Sequence, residues 1–304
     1  MNRRDFLKLL QLSPLLLANC SSRPPSVSTK SHDGPNILIL VFDTFSAAHL
    51  TLSDYPRQTT PQIEKAAQSA LVYHRHYAGG NFTTPGTASL LTGSYPWTHR
   101  AYRLSGQVHP NRIQDNIFAN FQAQYNTFAY THNDYAQVLL NQFFNEIDDL
   151  IPRRELSLRS FHHADQLPPN HALAADLAEN LIFGYYEQVP TSSFLSRFIR
   201  NYQHAQHEQL LARYQDQFAY DIPNSGIEYF TIDSILQWLL THLTTQSQPF
   251  LGYVHLLPPH YPYNPATKFS TLFEDGWQPD FTPQHVFTAR YQPDELNIQR
   301  RYYD

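Results

Sequence analysis

The chain has 304 residues, enough to bury one substantial core, and a formal net charge of −5 with no block of like charges. That balance excludes a nucleic-acid binder, whose footprint would be a basic stripe. The single cysteine, Cys20, excludes a fold held together by disulfides.

The first twenty residues read as an address. Arg3-Arg4-Asp5-Phe6-Leu7-Lys8 has the form of a twin-arginine export signal, and an apolar stretch follows from Leu9 to Ala18. That stretch is about half the ~20 residues a spanning helix needs. Leu17-Ala18-Asn19-Cys20 is similar to a bacterial lipoprotein cleavage box, so Cys20 is the expected lipid anchor, facing the periplasm or cell exterior. Plain signal cleavage that discards Cys20 is the alternative. Residues 21–35 are rich in Ser and Pro and read as a tether.

Ile37 to Phe42 is a continuous apolar run, as in a strand of a parallel sheet buried on both faces. It ends at Asp43-Thr44, and in open α/β sheets ligands bind at that edge. Thr60-Pro61 predicts a helix start, with the helix running to about Ala70. Leu71 to Tyr77 alternates weakly and predicts a second strand, broken by Gly79-Gly80. A helix opens at Thr84-Pro85 and stops near Gly93. Asn126 to Tyr130 predicts a short strand. Residues 141–226 show no steady period and read as a partly helical insertion; His162-His163 within it is an exposed polar pair rather than a metal site. Ile232, Ile235, Leu236, Leu239, Leu240 and Leu243 form one apolar helical stripe. Pro249 to His255 follows as another buried strand. Strands alternating with helices give an α/β fold with a largely parallel central sheet flanked by helices.

Three segments together resemble the sulfatase family of the alkaline phosphatase superfamily. They are Pro35 to Thr44 with His49-Leu50 and Thr59 to Ile63; Thr83-Thr84-Pro85-Gly86-Thr87-Ala88-Ser89-Leu90-Leu91-Thr92-Gly93-Ser94-Tyr95-Pro96; and Pro249 to His255 followed by Pro259-His260-Tyr261-Pro262-Tyr263. The resemblance implies an alkaline-phosphatase/sulfatase-like sandwich over residues 36–304. It also implies a substrate that is a sulfate or phosphate ester. A divalent cation would neutralise such an ester and lower the pKa of the attacking group.

Residue by residue, the resemblance puts Asp43 at the first metal carboxylate and Thr44 where a second Asp commonly stands. Thr83 falls at the nucleophile position, where relatives carry the Cys or Ser that is oxidised to formylglycine. Thr is a secondary alcohol, so its oxidation would give a ketone, and formylglycine is not expected. Gly86 and Thr87 replace the Ser and Arg of the family motif. The implied metal ligands are Asp43, Thr44 and Thr83, with calcium as the ion, or zinc or manganese if Thr83 itself attacks. His260 matches a position at the sulfate or leaving group, where it can donate a proton. His132 stands near a family Lys-x-His motif, with Tyr130 in place of the Lys. Read without the resemblance, Asp43 is a turn residue, Thr83 is inert, and the histidines are loop residues.

No Asp-His-Gly stretch follows His260, so the resemblance implies an incomplete domain, truncated at the C-terminus. The expected activity is a sulfatase-like, metal-dependent ester hydrolase. The alternatives are a phospho-group transferase or phosphodiesterase using Thr83, and an inactive lipid-anchored anion-binding protein.

Overall fold

The computed structural model describes residues 33–158, most of 205–277, and 292–304. Arg3, Arg4, Cys20, His162, His163 and most of the 141–226 stretch lie outside the described residues.

The centre is a four-stranded sheet. Its strands are β1 (Ile37–Phe42), β2 (Asn126–Thr131), β3 (Asp149–Leu150) and a later strand, Phe250–Leu256. Two short strands, β4 (Asn224–Ser225) and β5 (Glu228–Tyr229), pair separately with each other, so Phe250–Leu256 is β6. The main sheet runs β1-β6-β2-β3, every pair parallel. β3 lies within the stretch read as an insertion, so the first residues of that stretch complete the sheet.

Helices cover both faces. After α1 (Pro61–Ala67), one face carries α2 (Thr83–Thr92), α3 (Pro96–His99), α4 (Ile117–Phe121) and α5 (Asp134–Gln142). Of these, α2, α4 and α5 bury Ala88, Leu91, Phe118, Leu139 and Leu140 against Ala129, Leu251 and Tyr253. After α6 (Arg153–Leu156), the long helix α7 (Ile232–Thr245) covers the other face, where Ile235 and Leu239 meet Phe128, Tyr130, Val254 and Leu256. α8 (Thr267–Ser270) and α9 (Pro293–Tyr303) follow.

The local signals explain the elements. Gly93 closes α2 in the left-handed conformation at φ 61°, which a side chain would oppose. α7 is capped by the Thr231 hydroxyl, which accepts from the Ser234 N–H. β6 is buried at every residue, as a central parallel strand should be. Gly252 in β6 makes room for Phe128 of β2: a Cβ there would lie 2.2 Å from the ring.

Several expectations fail. β1 is buried on one face only. Ile37, Ile39 and Val41 pack inward, while Leu38 and Leu40 stay 39% exposed, because β1 is the outer strand and α7 does not reach over it. Leu236 and Leu240 of α7 are exposed too, so the apolar stripe is wider than the surface it covers. Leu71 to Tyr77 is not a strand. It has no neighbouring strand to pair with, and Leu71, Tyr73 and Tyr77 stand 73–83% exposed. α1 also stops at Ala67, three residues short of the expected end.

Candidate active site

The register of the sheet builds the site. Val41, His255 and Thr131 lie side by side across β1, β6 and β2. Side chains alternate faces along a strand, so residues two further on share a face. Asp43 beyond β1 and Asn133 beyond β2 therefore stand on the α2 side of the sheet, with His255. α2 delivers Thr83 to the same place in its first turn.

The contacts follow. Thr83 Oγ1 donates to Asp43 Oδ2 at 3.4 Å. Asn133 Nδ2 donates to Asp43 Oδ2 at 2.5 Å and to Thr83 Oγ1 at 3.2 Å. His255 Nε2 lies 3.6 Å from Asp43 Oδ2 and makes no hydrogen bond, although its ring is only 2% exposed. Its Nδ1 is 3.1 Å from the buried Tyr253 hydroxyl. Thr87 is buried beside the same tyrosine and shares a hydrogen bond with it.

Burial alone would raise the Asp43 carboxyl. The neighbouring His255, the more distant His260 and the Asn133 amide outweigh that and hold its pKa below the ordinary carboxylate value. Asp43 is thus an anion at neutral pH. Thr83 is half-buried.

The other candidates are not gathered in the same way. Thr44 is exposed, sits at φ 56°, and its carbonyl accepts from the Tyr303 hydroxyl. His260 is half-buried at the rim, with Nδ1 against the Tyr261 carbonyl. His132 has the opposite parity to Asn133 and turns toward the α7 face. It stacks on Phe230 at 3.8 Å, and its Nδ1 accepts the Leu257 N–H. Burial, with Arg153 and His255 nearby, drives its pKa well below 6.5, so it is neutral. Sequence reading missed Asn133 and His255. Both had a signal: an Asn-Asp pair opening a helix directly after a strand, and a polar residue closing an otherwise apolar run.

The donors present fit one side of a divalent cation. The Asp43 carboxylate and the Thr83 hydroxyl are hard oxygens, and the buried Nε2 of His255 has no hydrogen-bond partner beside them. Among the described residues no group of three or more His, Cys, Asp or Glu converges on a single point.

Fold and site together define a class: a parallel-sheet α/β protein with a threonine hydroxyl at a helix N-terminus, facing a carboxylate at a strand end. The family model for Sulfatase matches residues 35–293, and the chain belongs to the sulfatase family. It is 29% identical over 96 residues to an N-acetylgalactosamine-6-O-sulfatase of Bacteroides thetaiotaomicron, covering 31% of this chain and 19% of that protein. It is 30% identical over 74 residues to an N-acetylgalactosamine-6-sulfatase of Sus scrofa, covering 24% of this chain and 14% of that one. Its fold is similar to the crystal structure of a phosphonate monoester hydrolase of Agrobacterium radiobacter. That match has a TM-score of 0.56 at 15% identity and covers 89% of this chain and 56% of the other. The chain thus matches little more than half the length of this structural relative.

Proposed function

We propose that this chain carries the nucleophile-bearing part of a metal-dependent hydrolase of sulfate or phosphate esters. The observation that carries the reading is the 3.4 Å contact between Thr83 Oγ1 and Asp43 at the carboxyl edge of the sheet. Membership of the sulfatase family supports the reaction class.

The residues divide the work. The first turn of α2 offers free backbone N–H groups and the positive end of its dipole to an anionic ester. Thr83 Oγ1 forms a bond to sulfur or phosphorus as the ester oxygen leaves; the threonine proton passes to Asp43, and the leaving oxygen takes its proton from His260. Water then releases sulfate or phosphate, giving one proton back to His260, while Asp43 returns its proton to Thr83 Oγ1. Asp43, held ionised, aligns the hydroxyl by accepting its hydrogen bond. His260 at the rim is the proton donor to the leaving oxygen. A divalent cation held by Asp43 and Thr83 would supply charge neutralisation: calcium, or zinc or manganese for an attack by Thr83 itself. Formylglycine has no place in this scheme, because Thr83 carries a methyl on Cβ.

An aryl sulfate and a phosphate diester, assayed with the chain and with Thr83→Ala, test the reading. Turnover lost in Thr83→Ala supports it. Equal turnover in both would overturn it. A threonine nucleophile equally suits transfer to an alcohol acceptor, which a transfer product in the presence of glycerol would reveal. Binding of sulfate without turnover would favour an anion-binding protein.

We also propose export through Arg3-Arg4 and membrane attachment through a lipid on Cys20, on the strength of the N-terminal sequence alone.

A further inference from the structure

We propose that Asn133 is a catalytic residue whose side-chain amide, locked in orientation by a helix cap, carries the charge that develops on Thr83 Oγ1. This rests on the reading of Thr83 as the nucleophile.

Which end of the Asn133 amide faces the site is settled by the chain itself. Asn133 is the N-cap of α5, and its Oδ1 accepts from the N–H groups of Tyr135 at 2.8 Å and Ala136 at 3.2 Å. Only the oxygen can do this, so the NH2 must point the other way. Its own N–H is tied to Thr131 Oγ1 at 3.0 Å, which fixes the backbone too. The residue is 4% exposed.

The two amide protons then have separate tasks. One goes to Asp43 Oδ2 and the other to Thr83 Oγ1. The Thr83 hydroxyl is left to direct its own proton at Asp43. As that proton moves away, the oxygen gains negative charge, and the N–H already aimed at it requires no reorganisation. Preorganised donors of this kind act most strongly where water is excluded. The clamp also leaves the second carboxylate oxygen of Asp43 available to a cation.

The test uses substitutions that keep the cap. Asn133→Ser and Asn133→Asp retain an oxygen for the α5 N–H groups and lose the amide NH2 that reaches Asp43 and Thr83. Thr83 reactivity is read by mass spectrometry as the rate of its modification by an alkyl fluorophosphonate, in full-length protein. The expected result is a slowing of about 100-fold in Asn133→Ser with unchanged melting temperature, the usual scale for one lost oxyanion donor. Labelling of Thr83 at the original rate in Asn133→Ser would overturn the proposal. Failure of the unaltered protein to label at Thr83 overturns the nucleophile reading, and with it the catalytic role. The geometry has a separate readout. In Thr83→Val, one of the two Asn133 side-chain amide protons should shift upfield in NMR and exchange faster, while its partner stays. No shift in either would overturn the clamp whatever the nucleophile.

Discussion

Arg57 donates through Nη1 to Asp304 Oδ2 at 2.7 Å, joining the loop after β1 to the end of α9. The same guanidinium grips Asp275 with Nε and Nη2, at 3.0 and 2.8 Å, and lies over Phe273 and Trp277. Asp304 also receives His49 Nδ1 and the Tyr55 hydroxyl, and its side chain is fully buried. Burial would raise its pKa, but His49, Arg57 and Tyr55 together hold it down.

Removing the guanidinium leaves the buried Asp304 carboxylate without its ion pair to Arg57. Arg57→Met should lower stability by about 3 kcal/mol, the usual scale for breaking a buried pair. Asp275→Asn, at the exposed end of the same cluster, should cost far less. Urea unfolding of the two variants checks the order, and equal losses would argue against it.

Acid should weaken the fold. His132, His99 and His242 are all held neutral by burial, their pKa values lowered from 6.5. The unfolded chain takes up these protons as pH falls through 6.5, and the folded chain takes them up only at lower pH. Stability is therefore full above that value and declines below it, most through His132, by up to about 1.4 kcal/mol per pH unit there. The urea midpoint should fall between pH 7.5 and 5.5, and less steeply in His132→Gln. A flat profile would be the contrary result.

Metal binding should be weak. Asp43 and Thr83 supply two oxygens, whereas calcium takes six to eight. Calorimetric titration of this chain with calcium should give a dissociation constant of about a millimolar or weaker. Asp43→Asn should remove it altogether. Tight binding that survives Asp43→Asn would move the ion elsewhere.

Thr83 should remain threonine. The tryptic peptide containing it should have its unmodified mass after expression with a formylglycine-generating enzyme. Loss of two mass units, the signature of a ketone, would count against the Cβ argument.

Export has its own assay. Arg3→Lys combined with Arg4→Lys should leave precursor in the cytoplasm. Cys20→Ser should release the protein from membranes. Normal fractionation of either variant would remove the corresponding proposal.

Much of the fold was legible because its signals are local. The apolar runs at Ile37 and Phe250 are strands, and Gly93 stops α2 where expected. Leu71 to Tyr77 was misjudged because alternation alone does not supply a partner strand. The outer position of β1 was hidden for a related reason: strand order is a long-range property. In the site, Asp43 and Thr83 were found by motif and do meet. Asn133 and His255 were not, since their place follows from a register that pairs β6 with both β1 and β2. His132 lies one residue from Asn133, and that one step carries it to the opposite face.

Phe128 and Gly252 stand directly opposite one another in β2 and β6, the ring filling the space where a side chain would be. Any methyl gained at 252 collides with the ring, and any smaller residue at 128 opens a hole above a bare backbone. Neither position can drift by itself. In lineages related to this chain the two should be inherited as a pair, a bulky ring with glycine, or change together.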